Sequence, residues 1–148
     1  MNKIGFLLSG SGSTLKNFLE WQQQGKLKGE IAVVVSSKPG VKGLEIAREA
    51  GIPAFCVEYK SFAGDIGAYS RAITQKLREH GAEWVVMGGF MSLYEVPDFY
   101  ENRVFNVHPS LIPAFCGQGM YGHRVHEAVI QYGAKVTGCT VHVVNARY

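Results

Sequence analysis

Asn106 and His108 stand two residues apart, directly after the apolar pair Val104-Phe105, and Pro109 follows them. In an extended chain residues i and i+2 project from the same side. A carboxamide and an imidazole would therefore sit together, and a proline closes the strand behind them. That pair suits acyl-type transfer. When an amine attacks a carbonyl carbon, negative charge builds on the carbonyl oxygen. An amide N–H from Asn106 can meet that charge, and His108 can do the same or pass a proton on. Neither group is a strong nucleophile here, so direct transfer is expected rather than a covalent enzyme intermediate. The plain alternative is a histidine that serves only as a structural hydrogen-bonder.

Two other stretches could bear on chemistry. Residues 9–14 read Ser-Gly-Ser-Gly-Ser-Thr. Glycines allow tight turning and close approach, and a helix that follows would offer unpaired N–H groups to an anion. Ser13 or Thr14 would add a hydroxyl, or would instead serve as the helix N-cap. The stretch lacks the Gly-Lys-Ser/Thr of a Walker loop, and Leu15 stands where a third dinucleotide-loop glycine would be. Residues 88–94 read Gly-Gly-Phe-Met-Ser-Leu-Tyr. Backbone laid open beside apolar side chains suits a flat heterocycle, and the alternative is a loop packed on its own core. His123 and His126 lack a third ligand, so no metal is expected. His142 lies on an alternating apolar stretch and faces either a covered core or the rim. Neither a Gly-x-Ser-x-Gly elbow nor a Cys-x-x-Cys pair occurs.

Something must position these groups. Short apolar runs at 4–8, 31–35, 54–57, 84–87, 103–106 and 136–144 read as strands. Between them lie helical stripes: Leu15, Phe18 and Leu19 up to Gly25; Leu44, Ile46 and Ala47 up to Gly51; Ile66, Tyr69, Ile73 and Leu77 up to Gly81; Val125, Ala128, Val129 and Tyr132 up to Gly133. Strands alternating with helices predict an α/β fold, a Rossmann-like, mostly parallel sheet with helices on both faces. Ligands of such sheets bind beyond the carboxyl ends of the strands, and all three stretches fall at such ends.

The chain has 148 residues, one domain's worth, with 47% hydrophobic and 18% charged residues. The net charge of +3 is too mild, and its cations too scattered, for nucleic acid; it suits an anionic small substrate. No apolar run approaches the roughly 20 residues that span a bilayer. The N-terminus reads as strand and turn rather than a signal peptide. Cys56, Cys116 and Cys139 fit neither a disulfide framework nor a metal site, which points to a reducing cytoplasm.

In order over nearly the whole chain, SGSGSTL, GGFMSL, NVHPSLIP and GCTVHVV resemble the folate-dependent formyltransferases. That family includes glycinamide ribonucleotide and methionyl-tRNA formyltransferases and formyltetrahydrofolate deformylase. The N-terminal glycine-serine loop is most similar to the glycinamide ribonucleotide branch. The resemblance implies transfer of a formyl group from 10-formyltetrahydrofolate to the amine of 5'-phosphoribosylglycinamide in de novo purine biosynthesis. It implies small-molecule substrates, no nucleic acid or membrane, and a monomer or homodimer. It assigns Gly12, Ser13 and Thr14 to the substrate phosphate. Met91, Ser92, Leu93 and Tyr94 line the pteridine pocket, with Ser92 where relatives carry Arg. Asn106 becomes oxyanion donor and folate contact, and His108 the catalytic acid.

Two departures accompany the resemblance. An Arg that some relatives place before the third helix aligns with Ile66 or Gly67. The family's catalytic Asp would fall immediately after Tyr148, and further strands and a C-terminal helix would follow it. Residues 1–148 are accordingly expected to be a C-terminally incomplete catalytic domain. Without that Asp, His108 is expected to be a poorer acid. Formyl transfer should be much reduced while phosphate binding survives, and the last strand should leave an exposed edge. A non-catalytic phospho-ligand module and the hydrolytic deformylase are the rival readings. The deformylase usually carries an extra N-terminal domain, for which a first strand at Ile4 leaves no room.

Overall fold

A computed structural model describes residues 1–145. Six strands form one sheet: β1 (Asn2–Leu8), β2 (Gly29–Ser36), β3 (Ala54–Cys56), β4 (Trp84–Met87), β5 (Val104–His108) and β6 (Thr140–Val143). Their order is β3-β2-β1-β4-β5-β6. All neighbours are parallel except β6, which runs antiparallel to β5. The helices are α1 (Ser13–Gln23), α2 (Lys42–Glu49), α3 (Ile66–Glu79) and α4 (His123–Tyr132). Short 3-10 turns occupy Tyr59–Phe62 and Asp98–Tyr100.

Strand alternation sorts the core into two layers. Leu7, Val33, Val35, Val85, Met87 and Val104 face Tyr69, Ile73 and Leu77 of α3. Phe6, Leu8, Ile31, Val34 and Val86 face Leu15 of α1 and Leu44 and Ala47 of α2. The sheet is thus covered on both sides, which is why its central strands carry near-continuous apolar runs. From β1 the chain builds outward to β3 by way of α1 and α2. It then returns across α3 to lay β4 on the other side of β1. The strand order reverses between β1 and β4, and ligands of open α/β sheets bind in the crevice at such a point.

Helix ends follow the sequence closely. Gly51 takes φ +72° just past α2, and its N–H and that of Ile52 bond back to Arg48 and Ala47, the left-handed cap for which glycine is suited. Every strand but β4 differs from expectation at one or both ends, and three of these differences have a plain cause. β1 begins at Asn2, because its exposed polar start still pairs with Gly29. β5 runs on to His108, held by β6. The last strand forms only over Thr140–Val143. Val136, at 78% exposed, lies against no partner strand; β-branched composition alone does not make a strand without a ladder to join. No helix among the described residues is long and apolar enough to cross a membrane.

Candidate active site at the sheet rim

The carboxyl ends of β1, β4 and β5 share one edge because the three strands are parallel and adjacent. Backbone bonds knit the turns above them. Ser9 N donates to Gly89 O (3.1 Å), Ser37 N to Leu8 O (3.1 Å), and Gly88 N to Leu7 O (3.0 Å). The Ser9 hydroxyl, 3% exposed, accepts from Met91 N at 2.8 Å and is hydrogen-bonded to the Ser37 hydroxyl. One buried side chain therefore ties together the turns after β1, β2 and β4. Gly88 lets the two central turns touch: a Cβ there would lie 2.7 Å from Phe6 and 3.0 Å from Thr14.

The turn after β1 leads straight into α1. The alternative of Ser13 or Thr14 as N-cap does not describe this turn: the cap is Gly12, at φ +71°, with no side-chain cap bond. Gly12 is needed there twice over, since a Cβ would also stand 2.6 Å from Gly43 Cα in α2. Backbone bonding in α1 starts with Lys16 N to Gly12 O at 2.9 Å. Ser13, Thr14 and Leu15 N–H thus open the helix without a capping side chain, and no acidic residue stands in the first turn. The helix dipole and these donors favour an anion. The exposed Ser13 and half-buried Thr14 can add hydroxyls.

Asn106 pairs with Met87 on β4 and His142 on β6, and His108 with Thr140. By alternation both project from the face that Val104 shares with α3, side by side. Neither side chain is left loose. Asn106 Nδ2 donates to His142 Nε2 at 3.2 Å. His108, 9% exposed, donates from Nε2 to the Phe115 carbonyl at 2.8 Å. A carbonyl can only accept, so that contact places a proton on Nε2 and leaves Nδ1 as the nitrogen able to take or give another. Phe115 itself takes φ +52°, rare for a residue with a Cβ. The loop is pinned from both ends. Ser110 donates to Ala114 O (2.6 Å), Thr140 Oγ1 donates to Ser110 O (2.7 Å), and Ile112 N donates to Thr140 Oγ1 (3.0 Å).

The 88–94 stretch divides. Phe90 and Tyr94 turn inward, and the Tyr94 hydroxyl pairs with Thr74 at 2.8 Å, so the core-packed alternative describes these two. Met91 and Leu93 stand about half exposed, at 49% and 54%, with Ser92 between them. Below this segment Tyr69 is wholly buried, and among the described residues its hydroxyl has no hydrogen-bond partner. Burial pushes that phenol up; the Ser92 hydroxyl opposes the shift without reaching good bonding geometry. His123 and His126 lie on successive turns of α4, rings 6.4 Å apart. Among the described residues no group of three or more His, Cys, Asp or Glu side chains could hold a metal ion. Sequence reasoning missed Ser9, Ser110 and Thr140. Their signal was only that small polar residues stand beside the candidate loops; each side chain bonds backbone at the rim.

A doubly covered, mostly parallel sheet, with a glycine-rich helix start after β1 and a polar pair at the end of β5, defines a Rossmann-like α/β protein. More narrowly, the chain belongs to the formyl transferase family, which it matches over residues 2–148. It is 33% identical over 148 residues to the chloroplastic phosphoribosylglycinamide formyltransferase of Arabidopsis thaliana, an alignment covering 99% of this chain and 51% of that protein. It is 35% identical over 144 residues to the trifunctional purine biosynthetic protein adenosine-3 of Gallus gallus, covering 96% of this chain and 14% of the other. Among solved structures, glycinamide ribonucleotide transformylase 1 from Symbiobacterium toebii superposes with a TM-score of 0.90 at 36% identity, covering 99% of this chain and 68% of that one. The chain thus spans about half the length of the Arabidopsis relative.

Proposed function

We propose that the chain carries the formyl-transfer centre of a phosphoribosylglycinamide formyltransferase, moving a formyl group from 10-formyltetrahydrofolate to the amine of 5'-phosphoribosylglycinamide. The observation that carries the reading is the paired projection of Asn106 and His108 from one face at the carboxyl end of β5, each side chain held by a hydrogen bond. Gly12, Ser13 and Thr14 hold the substrate phosphate through helix N–H groups and hydroxyls. The backbone segment of Met91, Ser92, Leu93 and Tyr94 takes the pteridine, the Tyr94 side chain itself staying in the core. Support comes from half-exposed Met91 and Leu93, beside a turn that only glycine allows to approach Phe6 and Thr14. When bound, the folate supplies the activated formyl group.

The chain's own residues then do three things. The uncapped start of α1 orients the amine-bearing substrate by its phosphate and brings the amine to the rim. Asn106 offers an amide N–H to charge developing on the formyl oxygen. His108, its Nε2–H anchored on Phe115, uses Nδ1 to hold or move a proton.

An absorbance assay with a formyl-folate analogue, run with and without phosphoribosylglycinamide, tests the reading. Deformylation should depend on the amine. Asn106→Ala should lower kcat by roughly 10²–10³-fold, and His108→Ala should remove turnover while leaving phosphate affinity nearly unchanged. Amine-independent formate release would instead mark a hydrolase, and binding without turnover a phospho-ligand module. Equal loss of turnover and phosphate binding in His108→Ala would make that residue structural.

A further inference from the structure

We propose that His142 is a positioning residue for this chemistry: as a neutral imidazole with its proton on Nδ1, it fixes which end of the Asn106 carboxamide faces the reacting carbonyl. The inference deepens the formyl-transfer reading and rests on it for the role of Asn106.

A primary amide is nearly symmetric in shape. Turning it over exchanges an N–H donor for a repelling oxygen at almost no steric cost, so only its hydrogen-bond partners decide its orientation. Asn106 faces His142 directly across the β5–β6 ladder. Its Nδ2 lies 3.2 Å from His142 Nε2, and His142 Nδ1 lies 3.3 Å from the Val143 carbonyl. An amide nitrogen can only donate and a carbonyl can only accept. Both contacts are satisfied together by one proton arrangement, with Nδ1 protonated and Nε2 accepting. His142 then engages one of the two amide N–H bonds and leaves the second for the oxyanion.

The surroundings leave His142 as the residue that does this. His108, on the same face of β5, is committed to Phe115. Thr140, two residues before His142 on β6, is committed to Ser110 and Ile112. These same contacts pin β6 in register, so the imidazole is presented from a fixed strand. An acceptor at position 142 is what the amide requires. A side chain able only to donate would turn the carboxamide over.

Two measurements test this on the full chain. In ¹⁵N-histidine-labelled protein, His142 should show the Nδ1–H tautomer and His108 the opposite Nε2–H tautomer. The Asn106 side-chain NH₂ resonances should move in His142→Leu and return in His142→Gln, whose Oε1 can accept the same bond. In the transfer assay, His142→Leu should lose roughly 10–100-fold in kcat, short of the roughly 10²–10³-fold that deleting an oxyanion donor costs. KM for phosphoribosylglycinamide should stay within about twofold. His142→Gln should regain most of the loss and His142→Lys none. The proposal is overturned by an Nε2–H tautomer at His142, by Asn106 resonances indifferent to residue 142, or by Leu and Gln variants of equal kcat. If the resonances behave as expected and wild-type chain shows no amine-dependent transfer, the functional reading fails and the positioning of the amide stands.

Discussion

At the scale of single residues, the groups proposed to do chemistry and the groups that hold the rim together are different ones. Asn106 and His108 announce themselves by type and spacing. Ser9 does not, yet its hydroxyl bonds to Met91 N and to Ser37. Ser9→Ala would leave the Met91 N–H without its acceptor, a loss of about 1–3 kcal/mol. The midpoint of urea unfolding should fall with an unchanged slope. Formyl-folate affinity should drop as well, because the 91–94 segment loses its tether. Unaltered stability and affinity would show that water replaces the hydroxyl. Tyr69 is the opposite case, a buried hydroxyl with no hydrogen-bond partner among the described residues; the structure offers no account of why phenylalanine is not there.

At the scale of elements, Gly12 is where loop, helix and neighbouring helix meet. Gly12→Ala would force a side chain into a left-handed residue at φ +71° and to within 2.6 Å of Gly43 Cα. Gly40→Ala would meet only the conformational penalty, since nothing lies within 4 Å of a Cβ there. The first should cost about 2 kcal/mol or more and abolish phosphate binding; the second should cost about 1 kcal/mol and leave binding intact. Thermal unfolding and phosphate titration of both variants would check this. The same contrast explains what could be read in the sequence. Helix stripes and their terminal glycines were legible because periodicity and positive-φ caps are local. β6 was over-read by four residues at its start, because Val136 and Cys139 look like strand but only a ladder with β5 defines one. The close approach that requires a glycine at position 12 was not legible, because Gly43 lies 31 positions further along the chain. The polar pair was legible in kind. Its anchors, His142 and the Phe115 carbonyl, come from segments that only the folded topology brings near.

At the scale of the whole molecule, the core stores protonated phenols. Tyr100 is fully buried, donates to Ala82 O at 2.8 Å, and has its pKa pushed up to about 12 by burial. Tyr94 is pushed up further by the same cause, against the opposing bond from Thr74. A phenol whose folded pKa exceeds its unfolded value of about 10 contributes stability that is complete below about pH 10. That contribution is lost as pH rises through the folded value. Urea unfolding should therefore show flat tyrosine-linked stability near neutrality and a steep fall between about pH 10 and 12. Tyr100→Phe should flatten part of that fall. The rim adds a last consequence. The Ser9 hydroxyl is shared by the roots of the turn assigned to phosphate and the segment assigned to pteridine. A guest that steadies either root spares the other guest part of the ordering cost. By thermodynamic reciprocity each must then raise its companion's affinity by one common factor, so the two visitors at this edge assist one another without touching.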